Sequence, residues 1–331
     1  MKKVLVIPSN LKASAIVYYR GIQPARFLID NKHADVKFLT KFNNDKGRID
    51  LSAFAWADIL ITQRFYYDTP FLRPLREGYR RFKGLKIYET DDLVWDIPYK
   101  LIRKEYKKTK DFTEQLIQEA DIITCTTEYL KQQILKKRQQ CRVDVIPNSV
   151  DSAMWMWERP CYTRTRVIYA AGGTHWKEIK FVKKVLKKVK KDYDIETILL
   201  SPYHKEKEGG VWDHVYNFVP FKNFPKYMMG LAPDIGLAPI VQKTPFMLSK
   251  SEVKFLDFTM AGAASVVENC ETYSKVENAL KANTVDEYYE AIVKLLDIDY
   301  RDKLIKDAKE EIWKKFDIHE NVKLWKKAIR K

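Results

Sequence analysis

The chain has 331 residues, 46% hydrophobic and 13% aromatic, which is enough for two domains with real cores and excludes global disorder. Its 60 Lys and Arg against 44 Asp and Glu give a net charge of +16, concentrated in the first 150 residues, where 28 basic residues face 18 acidic ones. Such an excess either favours an anionic partner, nucleic acid or an acidic membrane surface, or reflects a Lys-rich composition with no binding role. No apolar run approaches the ~18 residues of a membrane span. The opening Met1-Lys-Lys-Val-Leu-Val-Ile-Pro8 reads as a buried strand and is too short for a signal peptide. Cys125, Cys141, Cys161 and Cys270 are scattered without a Cys-x-x-Cys pair, which argues for reduced thiols in the cytoplasm and against a disulfide frame or zinc site.

Short apolar runs alternate with helical stretches, the pattern of an α/β protein with parallel sheets. Strands are expected at 3–8, 58–62, 85–89, 121–125 and 143–147, and helices at 16–30, 71–82, 112–120 and 127–137. A second series begins at Arg166, with strands at 166–170, 196–200, 215–219, 235–239 and 264–268. Its helices are expected at 177–191 and 224–231, then within 246–262, and at 286–296 and 300–316. The helix at 177–191 carries an apolar stripe of Ile179, Val182, Val185, Leu186 and Val189 opposite seven lysines between 180 and 191, the signature of a core-facing helix. The division falls in the 148–160 segment, where periodicity lapses. It gives doubly wound domains at 1–155 and 156–331, with the last helix in the second or packed back on the first.

The stretch Phe246 to Gly262 carries the most chemistry. It follows the apolar strand ending at Pro239, opens with a polar Ser/Lys turn and continues as a helix that stops at a glycine. A strand, a polar loop and a helix N-terminus together form an anion site, because the first helical N–H groups lack intrahelical partners. Ser251, Glu252 and Val253 are candidates to present N–H groups to a diphosphate, and Lys254 to add a charge. Gly172, Gly173 and Thr174 end a strand and precede a helix, where glycine lets a ligand approach the backbone; His175 and Lys177 follow within reach of a phosphate.

In the first half, Asp91 and Asp92 follow the strand at 85–89, at the end where open α/β sheets bind ligands. They are candidates to hold sugar hydroxyls, orient an acceptor hydroxyl or ligate a metal; turn duty is the alternative. Trp95 can stack on a sugar or base face, or merely pack. Tyr19 and Arg20 follow the first strand, and Arg20 can grip a phosphate with two N–H groups or pair with an acid. Arg103, Lys104 and Lys107 belong to a basic tract suited to a polyanion, and a second tract runs from Arg73 to Lys86.

These pieces resemble a family. The two doubly wound halves, Ile146-Pro-Asn-Ser-Val-Asp151, Val17-Tyr-Tyr-Arg20, Gln63-Arg64-Phe65, Tyr88-Glu-Thr-Asp-Asp-Leu-Val-Trp95, Gly172-Gly-Thr-His175, Pro233-Asp-Ile-Gly-Leu-Ala-Pro239 and Lys-Ser-x-x-Lys-x-x-Asp-x-x-x-x-Gly at 250–262 look like GT-B glycosyltransferases. The likeness covers nearly the whole chain and is closest to retaining, family 4-like members of bacteria and phages. It implies two Rossmann-like domains facing each other across a cleft, a UDP- or GDP-sugar donor on the second domain and no required cofactor or metal.

Family members place two carboxylates eight residues apart at this helix start. Asp257 fills the second position, implying a ribose contact, whereas Ser249 stands where the first is expected. The resemblance also implies catalytic duties for Asp91, Asp92, Arg20 and Lys254, and an acceptor on the first domain. The basic first half, together with the phage-like resemblance, favours DNA with hydroxymethylated bases in a host cytoplasm. A membrane-associated or lipid-linked glycan is the alternative acceptor, and a non-catalytic nucleic-acid-binding protein the alternative class.

Overall fold

The computed structural model describes residues 1–10, 14–39, 52–65, 72–98, 100–172, 175–202 and 210–330. Along the first 149 residues, parallel strands β1 (Lys2–Ile7), β2 (Ala34–Phe38), β3 (Ile59–Gln63), β4 (Leu85–Thr90), β5 (Ile122–Cys125) and β6 (Arg142–Val145) alternate with helices. These are α1 (Ala15–Val17), α2 (Gln23–Asp30), α3 (Ser52–Trp56), α4 (Leu72–Arg81), α5 (Lys100–Glu119) and α6 (Glu128–Lys137). The helix expected over 16–30 is interrupted by a π-helical turn at Tyr18–Ile22. The helix expected from Phe112 begins twelve residues earlier, at Lys100, and its buried Tyr106, Thr109, Phe112 and Leu116 repeat at helical spacing.

Beyond residue 149 come β7 (Thr165–Ala170), α7 (Trp176–Asp192), β8 (Ile195–Leu200), β9 (His214–Tyr216), α8 (Phe224–Leu231) and β10 (Ile235–Ala238). There follow α9 (Pro245–Leu248), α10 (Val253–Met260), β11 (Ala264–Glu268), β12 (Leu280–Ala282), α11 (Val285–Lys294), α12 (Ile298–Lys315) and α13 (Ile318–Ala328). Two compact units emerge. Unit 1 comprises Met1–Ser149, Thr244–Ser251 and Ile318–Lys331; unit 2 comprises Val150–Lys243 and Glu252–Asp317.

Each unit holds one six-stranded parallel sheet. Unit 1 has the order β2-β1-β3-β4-β5-β6, and unit 2 has β12-β11-β10-β7-β8-β9. In both, the strand order reverses beside the unit's first strand, between β1 and β3 and between β7 and β10. Helices diverge to opposite faces there, which leaves a crevice outside the strands' carboxyl ends where open α/β sheets bind ligands.

In unit 1, Val4, Val6, Ile59, Ile61 and Ile87 form one core with Phe27 of α2 and Ile318, Val322 and Trp325 of α13. In unit 2, Val182, Val185, Leu186 and Val189 of α7 are fully buried in a core with Val167, Leu199, Ile235 and Val266, which leaves the lysines of α7 on the opposite face.

Helix α10 packs tightly on β10. A Cβ at Gly236 would lie 2.3 Å from Cδ2 and 2.4 Å from Cγ of Phe258, so only glycine fits. Gly236→Ala is therefore expected to lower stability by about 3 kcal/mol, read as a drop in the urea midpoint, through overpacking in an unyielding core. The helix ends at Gly262, whose φ of 84° is the left-handed conformation that glycine adopts without strain.

Candidate functional site

In unit 2, the central strand β7 runs to its carboxyl end at the switch point, reaching Gly172; Gly173 and Thr174 lie outside the described residues. The only described atom near a Cβ added at Gly172 is His175 Cδ2, at 3.7 Å, so packing does not demand glycine there. His175 is the residue preceding α7 and is 9% exposed. Its Nδ1 lies 3.8 Å from the carboxylate of Glu178, in the first turn of α7.

Glu178 is fully buried, and neither of its carboxylate oxygens has a hydrogen-bond partner among the described residues. Burial pushes its pKa up, but the His175 ring, its own backbone N–H and the charge of Lys254 more than reverse this, and the net direction is down.

Lys254 lies in the first turn of α10. Its ammonium sits 4.6 Å from the ring centroid of Tyr169, on β7. A cation in the first turn opposes the helix dipole, so helix stability does not account for it. The first-turn N–H groups of α10 have no intrahelical acceptor. They follow Glu252, which is 5% exposed, and include that of the half-buried Val253. Asp257, one turn further on, is 9% exposed and is therefore no solvated surface acid. Lys177 lies 5.4 Å from the exposed Trp176 ring, beside Lys180 at 4.9 Å.

Ser249 corrects the sequence reading. Its side chain is fully buried and its hydroxyl donates to the Phe246 carbonyl at 2.9 Å, while Thr127 Oγ1 donates to the Ser249 carbonyl at 3.4 Å. A hydroxyl consumed by its own turn does not reach a sugar. Ser251 accepts from Asn148 Nδ2 at 2.7 Å. Both serines group with unit 1, whereas Glu252, Val253, Lys254 and Asp257 group with unit 2.

In unit 1, β3 and β4 deliver Arg64 and the Asp91–Asp92 pair side by side. The Arg64 N–H donates to the Glu89 carbonyl at 2.9 Å, and its guanidinium bonds Asp91 through Nε and Asp92 through Nη2, the latter at 3.2 Å. Lys250 Nζ reaches the other Asp92 oxygen at 3.2 Å. Asp92, 7% exposed, is thus clamped between two cations, with the Thr90 hydroxyl bonding its carbonyl at 2.7 Å. Two acids held this way orient Arg64 and Lys250. Those two cations belong to the cluster, although the sequence reading gave them no role; their signal was their place in the Gln63-Arg64-Phe65 and Lys250-Ser251 pieces of the family resemblance.

Arg20 is a second correction. It is 2% exposed; Nε donates to Glu89 at 2.8 Å and Nη1 to the Ile146 carbonyl at 2.6 Å, and the guanidinium lies 4.8 Å from the Trp325 ring centroid. Glu89 is fully buried and needs a cation, which Arg20 supplies inside unit 1, while Nη2 of Arg20 is buried without a hydrogen-bond partner among the described residues. Tyr19, 6% exposed and edge-on to Tyr18, is no open stacking platform. Trp95 is half-buried with the Lys137 ammonium 5.5 Å from its ring. Lys104 and Lys107 are exposed on α5 with Lys108 and Lys110; the side chain of Arg103, on the same helix, lies outside the described set.

The two parallel sheets, each with its switch point, give the chain the GT-B fold. Solved structures of that class align along its whole length. An alpha-glucosyltransferase in complex with UDP and a 13-mer DNA containing an HMU base superposes with a TM-score of 0.71 at 11% identity, covering 100% of both chains. Sucrose-phosphate synthase from Thermosynechococcus elongatus gives 0.68 at 11% identity, covering 99% of this chain and 98% of the other. TarM of S. aureus gives 0.58 at 13% identity, over 86% of this chain and 59% of the other. No protein-family model and no curated protein sequence matches the chain. Among the described residues, no helix is long and apolar enough to cross a membrane.

Proposed function

We propose that this chain is a glycosyltransferase that moves a sugar from a nucleotide-sugar donor to a hydroxyl acceptor. The carrying observation is the gathering of Lys254, His175 and the α10 N-terminus at the β7/β10 switch point of unit 2, where a diphosphate meets an ammonium, an imidazole and N–H groups together. The solved neighbours that hold UDP or UDP-glucose favour a UDP-sugar over a GDP-sugar. In the donor site, Gly172 leaves room for the ligand, Lys177 adds charge and Asp257 takes the ribose hydroxyls.

In the reaction, the bond between the anomeric carbon and the phosphate oxygen breaks, and its electron pair stays with the diphosphate. The acceptor oxygen bonds the anomeric carbon from the same face, with retention, and its proton passes to the departing phosphate oxygen. Each well-placed donor to that leaving group contributes about 3 kcal/mol. The Asp91, Asp92, Arg64 and Lys250 cluster of unit 1 is the acceptor-side counterpart, with Asp91, the more exposed acid, nearest to an incoming hydroxyl.

The acceptor we favour is a hydroxymethylated base in DNA, modified in the cytoplasm of the cell that holds the DNA. The basic face of α5 supports this, as does the solved neighbour bound to DNA with an HMU base. A base within a duplex has to be flipped out to react. Incubation with radiolabelled UDP-glucose and UDP-N-acetylglucosamine is expected to label hydroxymethylated duplex but not unmodified duplex. Label appearing only in membrane extract would overturn the DNA acceptor. Lys104→Ala with Lys107→Ala should weaken duplex binding and reduce the slope of log affinity against log salt by about 2, measured by fluorescence anisotropy.

A further inference from the structure

Glu178 has no role in the reading above, yet it is the most costly side chain near the donor site. It lies on the apolar stripe of α7 with Val182, Val185 and Val189, a position where an aliphatic residue would pack without penalty. A carboxylate there is fully buried, and neither oxygen has a hydrogen-bond partner among the described residues. Burying an anion in this way costs several kcal/mol unless it is paired or hydrogen-bonded. His175 Nδ1 stands 3.8 Å away, and the charge of Lys254 acts on it from α10, where the ammonium leans over Tyr169 of β7.

The order from inside to outside matters. The carboxylate is sealed, the His175 side chain is 11% exposed and Lys254 is half-buried, so the negative charge lies behind the imidazole and the ammonium. An anion in front of a phosphate site would repel the ligand. One behind it turns both groups outward and keeps them in place when the site is empty.

We propose that Glu178 is a positioning residue for the donor diphosphate: its buried carboxylate fixes the ring of His175 and steers the ammonium of Lys254 toward the phosphates at the carboxyl end of β7. This rests on the donor reading above, and it extends that reading to a residue which itself touches no ligand. The arrangement lies wholly within unit 2.

The test uses the full-length protein with inorganic pyrophosphate and UDP-glucose as calorimetric probes, and thermal melting as the control. Glu178→Gln is expected to weaken pyrophosphate about tenfold, which is about 1.4 kcal/mol, and to lower Tm modestly, because the folded protein favours the ionised carboxylate. Glu178→Asp, which keeps the charge one methylene back, should restore affinity to within about threefold, on the order of 0.7 kcal/mol. A residue that only supports the fold would lose Tm and affinity together in both variants, and that result overturns the proposal. So does pyrophosphate binding in Glu178→Gln as tight as in the wild type; UDP-glucose binding by the wild type would then leave the donor reading standing. A wild type that binds neither probe overturns the donor reading and this proposal with it.

Discussion

Replacing Arg20 with methionine is expected to destabilise unit 1 by about 3 kcal/mol, because it strands a fully buried carboxylate and two backbone carbonyls at once. Burial, with the nearby Asp91 charge, outweighs the pull of Arg20 and Arg64 and leaves the Glu89 carboxyl raised from an ordinary 4.5 to about 7. The folded value lies above the unfolded one, so the folded chain retains a proton that the unfolded chain releases. The stability this contributes is full below about pH 4.5 and is lost as pH rises through about 7. The Arg20→Met loss should therefore grow as pH rises past neutrality, since Glu89 then has to take up a proton to stay buried. Glu89→Gln should flatten the fall in stability between those two pH values. Urea unfolding at several pH values reads all three effects, and an Arg20→Met loss below about 1 kcal/mol, the worth of an exposed pair, would contradict the geometry.

Lys254→Met carries the largest functional effect. A cation that meets the leaving diphosphate contributes about 3 kcal/mol, so turnover of the donor should fall about a hundredfold. The ammonium of Lys254 stands over the Tyr169 ring, and methionine replaces that cation–π contact with a thioether that also packs well against an aromatic ring. Tm is therefore expected to stay within the range of an ordinary surface change, roughly ±0.5 kcal/mol. A loss of turnover under threefold would remove Lys254 from the leaving-group site.

The periodic parts of this fold were legible from residue order alone. The apolar runs now seen as β1, β3, β4, β7 and β11 announced themselves, and Gly262 marked the end of α10 because its backbone requires positive φ. Strands β2 and β12 did not: β2 is an edge strand whose burial is only partial, and β12 has three residues. The first half of α5 was hidden by lysines, and α13 lies beyond the last helix expected, at 300–316, although Ile318, Val322 and Trp325 supply its buried face.

Site chemistry was legible where it is local and lost where it is not. Lys254 and Asp257 belong to one helix start. The partner of Arg20 lies 69 residues away and that of Lys250 lies 158 away, separations that no local pattern reveals. Glu178 could have been found, since it falls on the same helical stripe as Val182, Val185 and Val189, and a carboxylate on an apolar stripe is out of place.

Titration calorimetry of the wild type with UDP-glucose, UDP-N-acetylglucosamine and GDP-mannose tests directly whether unit 2 holds a sugar nucleotide. The expected result is micromolar binding of at least one UDP-sugar, on the order of −7 to −8 kcal/mol, weakened by Lys254→Met. No heat from any of the three at millimolar concentration would contradict it.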